Sequence, residues 1–187
     1  MTTSFFYFFF YSIALHSKNR VLKRKLETKR LYLREFSLDD VDFVLELVNT
    51  PSWIQYIGDR NIRTPGVAEE YIRENLRKSY TKNGFGLWLM ELKETKTPIG
   101  MCGLVNRDSL EDIDIGFALL PAYGRKGYTY EAAKATLQYA KEELQISKIV
   151  AITDQNNMAS IGLLNKIGLQ FEKKLKLSKN DTVLLFS

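Results

Sequence analysis

The sequence predicts one α/β (α+β) domain: a mixed, mostly antiparallel central sheet flanked by helices. Three observations predict it. Short apolar runs with brief polar turns fill residues 86–120, the mark of an antiparallel meander. Amphipathic segments of helical period stand on both sides of that block. In the second half a helix, a short buried strand and another helix follow in order, so the strands around them are expected to run parallel.

The elements follow in chain order. Arg30 to Phe36 alternates apolar and charged residues and reads as a strand. Ser37 stands three residues before Asp40, a capping-box start, and Val41, Val44, Leu45 and Val48 then recur at helical spacing. Pro51 is expected to stop that helix. A second helix fits Val67 to Tyr80, entered through Thr64-Pro65 and ended near Gly84. Strands are expected over Gly86–Leu92, Pro98–Val105 and Ile113–Leu120. The loop Pro121–Gly127 leads to a helix whose stripe is Ala133, Leu137, Ala140 and Leu144. Lys148–Thr153 reads as a buried strand. A polar turn then offers several N-caps to a helix ending at Lys166, with Gly168 just past its end. Leu169–Leu175 and Thr182–Phe186 close the chain as a hairpin.

Residues 1–25 differ from the rest, so the boundaries are an extension over 1–25 and one domain over 26–187. The extension is aromatic from Phe5 to Tyr11, then basic, and contains no acid. Its apolar run is too short to span a bilayer, for which about 20 residues are needed. The order, apolar before basic, is the reverse of a secretory signal. It reads as a disordered or translated-upstream extension, with an interfacial anchor and an atypical targeting segment as the alternatives. The net charge of +5 traces to it. Five of the 27 basic residues lie there, leaving 22 against 22 acidic ones in the body. A neutral body argues against nucleic acid as a partner.

Composition also prunes the chemistry. The only histidine is His16 and the only cysteine Cys102. The body therefore has no Ser-His-Asp or Cys-His arrangement and no histidine- or multi-cysteine metal site. Cys102, among apolar neighbours, is expected to be an inert core thiol. Trp53, Tyr56 and Trp88 are candidates for lining an acceptor pocket, with core packing the favoured reading for Trp88. What remains is Leu119-Leu-Pro-Ala-Tyr-Gly-Arg-Lys-Gly-Tyr-Thr-Tyr-Glu131 between a buried strand and a helix start. Amides at a helix start attract anions, and Arg125 and Lys126 add charge; a pyrophosphate fits, and so does a plain solvated turn.

That segment resembles the acetyl-CoA loop of the GNAT superfamily, in particular its RimJ/RimL-like branch. Pro121, Tyr123 and Arg125-Lys-Gly-Tyr-Thr-Tyr-Glu-Ala132 match the branch pattern of proline, tyrosine and GKGY-A-x-EA. Further matches recur in order: Leu31-Tyr-Leu-Arg34, Gly84-Phe-Gly-Leu-Trp88 with Ile99-Gly100, Asp114-Ile-Gly-Phe117, and Asn157-Met-Ala-Ser160 followed by Gly168. The resemblance covers about residues 26–187. It implies a cytoplasmic enzyme, monomer or homodimer, that uses acetyl-CoA as co-substrate, needs no metal and acetylates a primary amine of a protein N-terminus or a small molecule. It further implies cofactor contacts from Gly124, Arg125, Lys126, Gly127, Tyr128, Thr129 and Asn157, and from the backbone at Ala118, Leu119 and Leu120. Asp114 is the implied base, reached through water, and Ser160 lies beside the sulfur. Glu131, in the first turn of the loop's helix, is expected to complement its dipole.

The match is incomplete at three places. Gly124 replaces the usual glutamine or arginine, and Thr129 the usual small residue. Leu164 stands where many members carry a tyrosine that protonates the leaving thiolate. These departures motivate a second reading, a non-catalytic acyl-CoA-binding or regulatory module.

Overall fold

A computed structural model describes residues 24–177 and 182–187. The expected extension lies outside the described residues, apart from Arg24 and Lys25.

The first helical layer begins where the capping signal places it. Ser37 and Asp40 form a reciprocal capping box on a 3-10 turn, Leu38–Asp40, which runs into α1 (Val41–Val48). Pro51 ends that helix but also opens the next, α2 (Pro51–Tyr56). The reason is local: proline suits the first helical position, and the Thr50 hydroxyl accepts from the Trp53 amide. Thr64 and Pro65 repeat the device at α3 (Pro65–Tyr71). A single wide π turn, Ile72–Arg77, then carries the chain into α4 (Lys78–Asn83), which Gly84 ends in a left-handed conformation.

The strands are β1 (Arg24–Glu27), β2 (Leu31–Arg34), β3 (Leu87–Leu92), β4 (Pro98–Val105), β5 (Ile113–Leu119), β6 (Ile149–Thr153), β7 (Phe171–Lys176) and β8 (Thr182–Phe186). Between them lie α5 (Tyr128–Glu142) and α6 (Met158–Lys166). They form one eight-stranded sheet in the order β1-β2-β3-β4-β5-β6-β8-β7. Every pairing is antiparallel except β5 with β6, as the strand–helix–strand rhythm requires. Strand β1 is additional to the expected elements.

The sheet separates two cores. Trp88 and Met90 face one way, toward Ala132, Ala133 and Ala140 of α5. Leu89 and Met101 face the other, toward Val44, Leu47, Trp53 and Ile72 of the α1–α4 layer. Burial on both faces explains why β3 and β4 read as nearly continuous apolar runs. Both tryptophans and Cys102 are core residues; the Trp88 ring meets Tyr139 edge-on at 5.6 Å. No helix among the described residues is long and apolar enough to cross a membrane.

Candidate functional site: a parted sheet above a helix start

Strand β5 keeps β4 from Asp114 to Leu119, but it pairs with β6 only at Ile113–Ile149 and Asp114–Val150. Beyond Asp114 the two parallel strands part and leave a gap in the middle of the sheet. The Leu120 amide donates to the Ile99 carbonyl at 2.9 Å, on the β4 side. Peptide groups alternate sides along a strand, so the N–H groups of Phe117 and Leu119 face the gap. Of the three residues expected to offer an amide there, only Leu119 is so oriented. Leu120 has spent its N–H, and the Ala118 peptide turns toward β4.

From Leu119 the chain enters the turn directly. Pro121–Tyr123 forms a 3-10 turn in which Tyr123 N–H donates to Leu120 O and Gly124 N–H to Pro121 O, both at 3.0 Å. The Gly124 amide is thus held by the chain itself, which corrects its assignment as an anion donor. Its φ of −60° is also ordinary for any residue. Next, Arg125 and Gly127 adopt left-handed conformations, with φ of 60° and 79°. Gly127 is the N-cap of α5 and supplies no capping side chain. The first intrahelical bond there runs from Glu131 N–H to Gly127 O at 3.1 Å. The amides of Tyr128, Thr129 and Tyr130 precede it and have no carbonyl within the helix. They point out of the helix start at the mouth of the gap, where alternating backbone hands make a concave anion seat.

Cations surround this seat. The Arg125 and Lys126 side chains are exposed, and Lys126 lies 5.4 Å from the Tyr123 ring. Lys166, at the end of α6, lies over Tyr130 at 4.6 Å. Glu131 does not simply face the helix dipole, as its position suggested. Its carboxylate accepts from the Thr28 hydroxyl at 2.6 Å, and from the Arg30 amide and Nε at 2.7 Å each. Burial pushes this carboxyl up, but those bonds outweigh it and hold the group below the ordinary glutamate value. Thr28 and Arg30 lie about a hundred residues upstream, and no local pattern marks them.

At the opposite end of the gap stands Asp114. It occupies the last β5–β6 pair and is 1% exposed. Its Oδ2 accepts from Arg107 Nε at 2.6 Å, and its Oδ1 accepts from the Ile152 amide at 3.3 Å. The carboxylate therefore bridges β5 to β6 where the ladder stops. Burial pushes its pKa up from 3.8 to about 6, against the opposing pull of Arg107 and the Ile152 amide.

The start of α6 forms another wall. Asn157 is its N-cap, and its side-chain oxygen accepts from the Ser160 amide at 3.1 Å. That leaves the Asn157 NH₂ group and the Ser160 hydroxyl with no bond among the described residues. Leu164 is fully buried in the α5-side core, so it offers no proton at the tyrosine's place. The helix ends as expected: Gly168, at φ 100°, and Leu169 return amide bonds to Asn165 O and Leu164 O at 3.1 Å each.

The site thus joins a parted sheet to a helix start with open amides, an arrangement that attracts anions. Residues 30–170 match the acetyltransferase (GNAT) domain family. The chain belongs to that family and is an acetyltransferase. The uncharacterised protein YkkB of Bacillus subtilis (strain 168) is 31% identical over 159 residues, 82% of this chain and 90% of its own. Among solved structures, an acetyltransferase from Agrobacterium tumefaciens str. C58 superimposes with a TM-score of 0.73 at 22% identity, covering 86% of this chain and 91% of that one. The RimL ribosomal L7/L12 α-N-protein acetyltransferase, solved with coenzyme A, gives 0.73 at 14% identity, covering 85% and 93%. At these identities the structural matches establish the shared fold, the one the RimJ/RimL-like resemblance implied.

Proposed function

We propose that the protein transfers the acetyl group of acetyl-CoA to a primary amine, either a protein N-terminal α-amine or that of a small molecule. The observation that carries this reading is the pairing of two sets of open amides within one segment. One short segment carries the gap-facing amide of Leu119 at one end and the open amides of Tyr128, Thr129 and Tyr130 at the other, joined by a 3-10 turn.

Each part then has a task. The amides at the start of α5, with Arg125 and Lys126, hold the diphosphate. The Leu119 N–H donates to the thioester carbonyl oxygen and stabilises the negative charge that grows on it as the amine attacks. The Asn157 NH₂ group is free to bond the amide-bearing arm of the co-substrate. Asp114 receives the proton released by the amine. Both its oxygens are already held and it is almost wholly buried, so the proton travels through water. As the new C–N bond forms the C–S bond breaks, and the Ser160 hydroxyl, in the first turn of α6, donates to the departing sulfur. Holding both reactants in one gap removes much of the entropic barrier, an effect worth several kcal/mol, on the order of 7 or more in well-oriented cases.

The test is turnover with acetyl-CoA and a panel of peptide and small-molecule amines, following both free thiol and acetylated product. Expected is thiol release matched by acetylation of at least one acceptor class. Binding of CoA with no transfer to any amine would replace this reading by that of a non-catalytic acyl-CoA-binding module.

A further inference from the structure

The anion seat at the start of α5 is supported from below by a residue that touches none of the reacting atoms. Arg30 lies in the turn between β1 and β2. Its Nε donates to Glu131 Oε2 at 2.7 Å, while another of its guanidinium nitrogens donates to the Lys126 carbonyl at 2.9 Å. Its guanidinium carbon lies 4.3 Å from the centre of the Tyr128 ring. A Cβ added at Gly127 would come 3.5 Å from the same group. One guanidinium thus contacts Lys126, Tyr128 and Glu131, three of the six residues from 126 to 131. The Thr28 hydroxyl and the Arg30 amide complete the clasp on Glu131.

The charges make this more than a brace. Glu131 lies in the first turn of the helix whose start receives the diphosphate. Left alone, its negative charge would oppose an anion there. The clasp turns the carboxylate toward the β1–β2 turn and pairs it with a cation.

We propose that Arg30 is a positioning residue for the acetyl donor: it fixes the 125–128 turn in its anion-receiving shape and cancels the charge of Glu131 beneath it. This rests on the reading that the turn holds the diphosphate of acetyl-CoA.

Isothermal titration of coenzyme A into the full chain separates the two claims. Wild type is compared with Arg30→Met, Arg30→Lys and the double variant Arg30→Met/Glu131→Gln, each first checked for folding by its melting curve. Arg30→Met is expected to bind on the order of tenfold more weakly, because it loses the brace and frees a charge close to the diphosphate. Arg30→Lys keeps the charge but not the two-point hold and should fall between. Adding Glu131→Gln to Arg30→Met should restore part of the lost affinity without restoring stability, a rescue that a merely structural role does not give. The Arg30→Met deficit should also shrink as salt is raised. Equal affinity in wild type and Arg30→Met, or a deficit unchanged by Glu131→Gln and by salt, overturns the proposal. No binding of coenzyme A to wild type instead overturns the underlying reading of the turn.

Discussion

Replacing Asp114 by asparagine should change the pH dependence of stability in a defined direction. The carboxyl is 1% exposed, and burial lifts its pKa from 3.8 to about 6 in the folded protein. The unfolded chain returns it to the ordinary value. Between those two values the folded state binds more protons than the unfolded state, so this group lowers stability as pH rises from about 4 to about 6. Its cost is absent below that window and complete above it. A shift of this size corresponds to about 3 kcal/mol at one decade per 1.36 kcal/mol. Asparagine keeps the oxygen that accepts from Ile152, removes the buried charge, and leaves Arg107 with roughly a third of its side chain in water. The stability of Asp114→Asn relative to wild type should therefore improve by up to about 3 kcal/mol between pH 4 and pH 7. Urea unfolding at a series of pH values measures it. A relative stability that stays flat across this range, or that worsens toward neutral pH, refutes the argument that burial dominates over the Arg107 pair. The same substitution tests the catalytic role independently: the rise of kcat/KM with pH through about 6 should vanish and kcat should fall by about 100-fold or more.

Two further substitutions test other joints of the structure. Arg34→Met removes the one cation bonded to both Asp40 and Glu91, all three being buried, and should cost about 3–5 kcal/mol in urea unfolding because two carboxylates are left unpaired. Asn157→Ala deletes the cap of α6 and should lower stability by about 1 kcal/mol. It should also raise the KM for acetyl-CoA, whereas a purely capping role would leave KM alone.

The legibility of this fold in its sequence followed how local the controlling physics was. β4 and β8 fall at the bounds their apolar runs predict, because solvent-facing turns and burial define them residue by residue. β1 escaped notice because Arg24-Lys-Leu-Glu27 carries a single apolar residue and is a strand only by pairing with β2. Pro51 both ends one helix and begins the next, and Thr50-Pro51 carries the same start signal as Thr64-Pro65. The π turn at Ile72–Arg77 has no signature in its residues that distinguishes it from ordinary helix. Within the site, the glycine-rich turn was visible as a pattern. Which amides remained free was not: the spent N–H groups of Leu120 and Gly124 depend on Ile99 across the sheet and on a 3-10 turn. The burial of Asp114 is not legible in one strand, because it comes from pairing with β6, distant in sequence. Arg30 was invisible for the same reason, since its partners are about a hundred residues away.

The most direct measurement is calorimetric titration of acetyl-CoA against wild type and Gly127→Asp. Gly127 has φ 79°, a left-handed conformation that aspartate tolerates better than most residues, and its Cβ would find open space except for Arg30 at 3.5 Å. The variant should therefore fold, with its new carboxylate at the mouth of the α5 amides. Saturable binding to wild type with affinity lost by at least about tenfold in Gly127→Asp is the predicted result. Equal affinity in two folded proteins would show that the diphosphate does not sit at this turn.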